Sequence, residues 1–249
     1  IKLLIKKFPI SSKMSYLIAI GTSVCGATAI VATAPVINAK KSEVAYAIAN
    51  ITLFGILAML IYPYFSNFYF ENNTLQAGLF LGTAIHETSQ VAAAGLIYDQ
   101  QFNSPETLNV ATVTKLIRNT FLVIMIPLFA FLYNRGEIKK NDYSILNIFP
   151  YFVLGFIGMI ILRNIGDQIF IIDENVNYEI WLNFTILIKD LATVFLTMAM
   201  AAVGISINLS ELKSMGYKPF VVGFISAITV GFVSILTMQF FDKIIKFIV

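Results

Sequence analysis

The chain of 249 residues contains one histidine, one cysteine and one tryptophan, and only 12% of it is charged. A lone cysteine excludes an internal disulfide framework and leaves the redox compartment open. A lone histidine excludes the zinc-protease pattern H-E-x-x-H, because His86 and Glu87 are followed by Gln90 where the second histidine belongs. Any serine nucleophile would have no imidazole partner but His86, and no G-x-S-x-G elbow occurs. Neither a metal nor a cofactor is expected, and the residues do not read as an enzyme. The charged share is about half the roughly 25% of soluble proteins. A net charge of +3 is too small to suggest nucleic acid as a partner.

What is present is hydrophobic: 58% of the residues, with 22 Phe and 11 Tyr. Runs of about 20 apolar residues, each able to cross a core of about 30 Å as a helix, predict an all-α polytopic membrane protein. Seven spans are read at approximately 14–38, 43–65, 75–98, 108–133, 145–165, 185–208 and 218–241. Tyr178 to Asp190 reads as an interfacial helix anchored by Tyr178 and Trp181. Loop lysines and arginines are more numerous on the side that holds Lys2, Lys6, Lys7, Lys13, Arg135, Lys139, Lys140, Lys213 and Lys218. That side is expected to be cytoplasmic, with the C-terminus outside.

Two spans carry small polar residues that permit an interrupted helix. They are the first, at Gly21–Thr28, and the sixth, at Met198–Ser206. A small-residue packing face is the alternative for either. Each is followed by one plain span, and three spans lie between the two units. This arrangement predicts a five-span inverted repeat, a recurring transporter design. Residues 1–66 would be the tail of the first repeat and residues 67–249 the complete second one. Three helices, about 90 residues at roughly 20 apolar residues per span plus loops, would then precede Ile1.

The third span is anomalous in another way. His86 and Glu87 stand at the polar centre of Leu75–Tyr98, where an ionisable side chain costs about 2.5–3.5 kcal/mol on insertion scales. Such residues point to a site or a polar path. A histidine titrating near 6.5 and a buried carboxylate can exchange protons close to neutrality. On a continuous helix Ser89 and Gln90 would share the face of His86. His86, Glu87 and Gln90 are therefore the proton-coupling candidates, against a reading as a polar pair made for packing. Lys115 and Arg118, spaced i and i+3, either face the interior or snorkel to the interface. Arg118 is the better anion ligand, being deeper and having a planar fork.

If the first span breaks at Gly26, the half-helix that follows turns its free N–H groups into an anion site. Thr22, Ser23, Cys25, Gly26 and Thr28 are its candidate ligands, joined by Gly204 and Ser206 if the sixth span is interrupted too. Cys25 taken alone reads as a packing residue. Asn50, Asn119 and Asn208 read as links between helices, and Lys189 with Asp190 as a loop-level ion pair. Gly82-Thr83 repeats Gly21-Thr22, so the two Gly-marked centres are expected to face each other across the fold.

The strings GTSVCGATAIVATAPVI (Gly21–Ile37) and GTAIHETSQVAAAG (Gly82–Gly95) are similar to the paired signatures of the YeiH-type bacterial inner-membrane proteins. Ala111–Arg118, Pro150–Phe156 and Met198–Gly204 match in the same order. These proteins, assigned to sulfate export, resemble the bile-acid and arsenite transporter superfamily, with about ten helices in two inverted halves. The resemblance implies a multi-pass protein of the bacterial inner membrane that exports sulfate or an organosulfonate, here lacking the first three helices. The expected partners are the lipid bilayer, a small anion and, as a homodimer, a second copy of the chain. An anion channel and a structural membrane subunit are the alternatives.

Overall fold

A computed structural model describes residues 10–104, 106–134, 152–171, 176–205, 210 and 216–248. Among these residues all regular structure is helical. The helices are α1 (Ser12–Ser23), α2 (Gly26–Thr33), α3 (Lys41–Tyr69), α4 (Thr74–Ala84), α5 (Thr88–Phe102), α6 (Thr107–Thr120), α7 (Leu122–Asn134), α8 (Phe152–Ile171), α9 (Val176–Ile205) and α10 (Lys218–Ile248). They fall into two units, α1 to α7 with α10 in one, and α8 with α9 in the other.

Two helices, α3 and α10 over Lys218–Phe241, are each long and apolar enough to cross a membrane. A third crossing would be the pair of α6 and Ile124–Tyr133, bent by 46°. Helix starts follow local chemistry. The side chain of Ser11 accepts from the Met14 N–H at α1, and that of Asn73 from the Gln76 N–H at α4. Glu43 accepts from the Lys40 N–H (3.0 Å) and from the Ser11 hydroxyl (2.5 Å), which ties the α3 start to the α1 start.

The core of the first unit lies where α6 packs against α4 and α5. Ala77, Phe80, Leu81, Ala84, Ile85, Val91, Ala94 and Ala111 are buried there. A Cβ at Gly82 would overlap the Ala111 carbonyl and the Thr114 side chain, so a side chain there would push α6 away. Along α6, Thr107, Ala111 and Lys115 recur every four residues and are all 0% exposed. Val113, Leu116 and Ile117 cover the opposite face and are exposed. Polar groups inside and apolar groups outside are the arrangement that hydrocarbon surroundings favour. Asn50 donates to the Pro219 carbonyl (2.9 Å), linking α3 to α10, and the Thr83 and Ser234 hydroxyls link α4 to α10.

Several sequence expectations are corrected here. The third span is two helices, α4 and α5, interrupted at Ile85-His86-Glu87. At 1.5 Å per residue neither piece reaches about 25 Å. The interruption was expected instead within Met198–Ser206, yet α9 runs unbroken through Met198–Ile205. Tyr178–Asp190 leads into the sixth span without a break, as the first part of α9, and Gly166–Ile171, which the span boundaries place in a loop, continues α8. No Pro interrupts these stretches, and Gly166 serves close packing on Trp181 rather than a helix stop. Ser206, Asn208, Pro150 and the basic residues Lys2, Lys6 and Lys7 lie outside the described residues.

In the second unit, the Trp181 indole N–H donates to Asp167 (2.8 Å), which also pairs with Arg163 (2.8 Å). The Trp181 hydrogen bond first and the Arg163 contact second hold the Asp167 carboxyl below its ordinary 3.8. A depressed carboxylate stabilises its partners above its unfolded value, and that contribution is lost as pH falls through the folded value. Emission from Trp181, the only tryptophan, is expected to hold steady from pH 7 down to about 4 and to change below it. Asp167→Ala should remove the transition. A transition of the same size in that variant would rule out Asp167 as the titrating group.

Candidate functional site

The first interruption arises at Val24 and Cys25, whose backbone leaves the helical region at φ −124° and −140°. Gly26 then adopts φ +53°, a left-handed conformation that β-carbon sterics disfavour in other residues, and α2 begins. The second interruption is extended: Ile85 has ψ 145° and Glu87 ψ 141°. At each break a helix C-terminus is left with carbonyls that have no partner in their own helix.

Two side chains of α6 satisfy these carbonyls. Lys115 Nζ donates to the carbonyls of Val24 (2.9 Å), Ile85 (3.0 Å) and His86 (2.6 Å), which uses all three of its protons. Arg118 donates through Nη2 to the Thr22 carbonyl (2.7 Å) and through Nε to that of Ser23 (3.1 Å). Its Nη1 donates to the carbonyls of Thr83 (2.7 Å) and Ile85 (3.1 Å). The expected facing of Gly21-Thr22 and Gly82-Thr83 is thus realised through one guanidinium. Cations at two helix C-termini also complement the negative ends of both helix dipoles.

The opposite charge sits at the opposite kind of end. The Glu87 carboxylate accepts a short hydrogen bond from the Ala27 N–H in the first turn of α2. A Cβ at Gly26 would overlap that carboxylate, so glycine serves both the backbone turn and the approach of Glu87. His86, 1% exposed, has neither ring nitrogen hydrogen-bonded among the described residues. With His86 neutral, one carboxylate and two cations give the site a net charge of one positive unit.

Other candidates take different places. Thr22 and Ser23 bond their hydroxyls back to α1, at Ile18 (2.8 Å) and Ala19 (2.6 Å), and contribute carbonyls to Arg118 instead. Cys25 is buried at the break and Thr28 is exposed on the first turn of α2. Gln90 does not share a helical face with His86, because His86 precedes α5. It donates to the Thr52 carbonyl (3.1 Å) and packs against Gly55 of α3. Gly204 lies near the end of α9, in the second unit. Lys115 is not at the interface but 0% exposed. Asn119 links α6 to α5 through the Thr88 hydroxyl (3.2 Å), as an interhelical asparagine should. Among the described residues no three His, Cys, Asp or Glu side chains converge to hold a metal ion.

Sequence reasoning missed the Val24, Ile85 and His86 carbonyls, whereas the Ala27 N–H is one of the free half-helix donors expected after a break at Gly26. The available signal was the K-x-x-R pair on an otherwise uncharged stretch, facing two Gly-Thr helix ends.

A family described as conserved hypothetical protein 698 matches residues 1–223. A UPF0324 membrane protein of Fusobacterium nucleatum is 38% identical over 227 residues, covering 89% of this chain and 65% of that protein. One from Streptococcus agalactiae serotype V is 40% identical over 223 residues, covering 88% and 62%. A further one, from Yersinia pestis, is 34% identical over 226 residues, covering 86% and 57%. The chain thus spans somewhat less than two thirds of the length of these relatives. No solved structure matches. With residues 1–223 matched, nine-tenths of its length, the chain belongs to the family described as conserved hypothetical protein 698.

Proposed function

We propose that this chain is the core of a secondary transporter that moves a small anion, sulfate or a sulfonate, outward across the bacterial inner membrane. In this reading it is a multi-pass protein of the ten-helix inverted-repeat type, with seven of the spans present here, and carries out no covalent chemistry. One observation carries the reading: two interrupted helices meet at a site of surplus positive charge, and the N-terminus of one of them already holds a carboxylate. Preorganised helix N–H groups recognise anions without a dedicated cation, and irregular backbone within a membrane is tolerated where it lines a cavity or is buried in protein. Sulfate and sulfonates are the chemistry that the resemblance of the motifs implies, and proton coupling through His86 and Glu87 would make anion movement depend on the proton gradient.

The satisfaction of all three Lys115 protons by backbone carbonyls favours a second reading, a membrane subunit whose buried charges only hold the fold. Flux separates the two. Full-length protein in proteoliposomes should transport labelled sulfate or taurine faster than empty vesicles, by tenfold or more, and respond to an imposed pH gradient. His86→Ala and Glu87→Gln should weaken that response. Equal flux with and without protein for both solutes would leave the structural reading, and full coupling in both variants would remove the proton role.

A further inference from the structure

Glu87 occupies the place that an anionic substrate would take. Its carboxylate lies on the Ala27 N–H, against Gly26, at the start of α2. The neighbouring cations cannot hold an incoming anion directly. Lys115 spends every proton on carbonyls, and Arg118 spends four of its five. They provide positive potential, and the contact itself falls to the α2 N-terminus. A second feature marks the place as unfinished: His86, in the same break, is buried with neither ring nitrogen partnered among the described residues.

We propose that Glu87 is a tethered anion, holding the α2 N-terminus until a proton releases it and a small oxyanion takes its place, so that each anion bound brings one proton with it. The inference rests on the anion-transport reading and specifies its coupling. Charge balance supports it. With Glu87 ionised the site carries one surplus positive charge; protonation raises the surplus to two, and a singly charged anion restores it to one. A doubly charged sulfate brings it to zero. In a medium of low dielectric, an exchange that keeps the local charge near its resting value avoids the cost of an isolated buried charge. The charged and titratable groups facing Glu87 are Lys115 from α6 and the Cys25 thiol from the α1–α2 break, with His86 its chain neighbour and Arg118 one turn beyond Lys115 on α6. The test must separate Glu87 from these.

The experiment is equilibrium binding of labelled sulfate and of taurine to purified full-length protein between pH 5.5 and 8, with proton uptake recorded in weak buffer. The expected result is an affinity that falls about tenfold per pH unit once Glu87 is ionised, with one proton taken up per anion. Glu87→Gln should bind with an affinity independent of pH and take up none. If sulfate or taurine binds to Glu87→Gln with the pH slope and proton uptake unchanged, the tethered-anion inference fails while anion transport stands. If neither solute, nor acetate as a mimic of the Glu87 carboxylate, binds wild type or variant at any pH, the transport reading itself fails. Should Glu87→Gln not fold, infrared difference spectra of wild type decide. Adding sulfate at constant pH should produce a protonated-carboxyl band, and its absence would overturn the proposal.

Discussion

Lys115→Met is expected to lower the thermal midpoint of the protein by on the order of 10 °C. Methionine nearly matches lysine in volume and suits an apolar site, so the loss would not come from a cavity. It would come from the carbonyls. Val24 and His86 lose the buried donor that Lys115 supplies, and Ile85 retains only Arg118. An unsatisfied buried backbone group costs about 1–3 kcal/mol, so two of them cost roughly 2–6 kcal/mol. For a domain of this size each kcal/mol displaces the midpoint by about 2–4 °C. Relief from burying a charge works in the opposite direction, which makes the measurement decisive. A midpoint unchanged within about 2 °C, read by a thermal shift in detergent, would mean that the carbonyls find other partners. Tertiary structure would then not depend on this lysine.

The second large effect is expected for Arg118→Lys, a change that keeps the charge. If Arg118 acted only through its charge near two helix C-termini, its worth would be about 0.3–2 kcal/mol and lysine would retain most of it. Arg118 instead spans four carbonyls, two on each side of the crossing, with one planar fork. An ammonium group is a point donor and cannot reach Thr22, Ser23, Thr83 and Ile85 together. With hydrogen bonds to charged groups worth about 1.5–3 kcal/mol each, losing two should cost about 3 kcal/mol or more. Combined with Lys115→Met the losses should not add, because the Ile85 carbonyl is common to both donors. A double-mutant cycle of thermal midpoints measures that coupling, expected at about 1 kcal/mol. Strict additivity would show that the two side chains serve the breaks independently.

What the sequence made legible follows the physics of each signal. Helix content and the apolar character of α3 and α10 come from long hydrophobic runs, which need no tertiary context to be recognised. The break at Gly26 was readable because a small-residue cluster and a glycine coincide there. The break at His86 was not read as one. Its polar residues are equally compatible with side chains on a helix and with a backbone that has left the helix. Thr22 and Ser23 lie at the first break through their carbonyls rather than their hydroxyls, since a hydroxyl in sequence gives no sign that it will bond back to its own helix. The choice between an interior and an interfacial Lys115 was left even, because a four-carbon stem can reach either environment and only the packing at Gly82 settles it. The continuity of α9 through Met198–Ile205 shows the limit of small residues as a signal: they permit an interruption and do not cause one.

The α6 clamp also imposes an order on how the protein is made. Val24 leaves the ribosome about ninety residues before Lys115 and Arg118, the two side chains that satisfy the first break. Until α6 arrives, the exposed carbonyls after Ser23 and the extended stretch after Ala84 have only water or lipid headgroups to meet them. Neither interrupted helix can settle in its final depth before then, because bare carbonyls are not tolerated in hydrocarbon. A segment synthesised before α3 is therefore completed by one that follows α5, and a nascent chain halted before Lys115 would hold both breaks at the membrane surface.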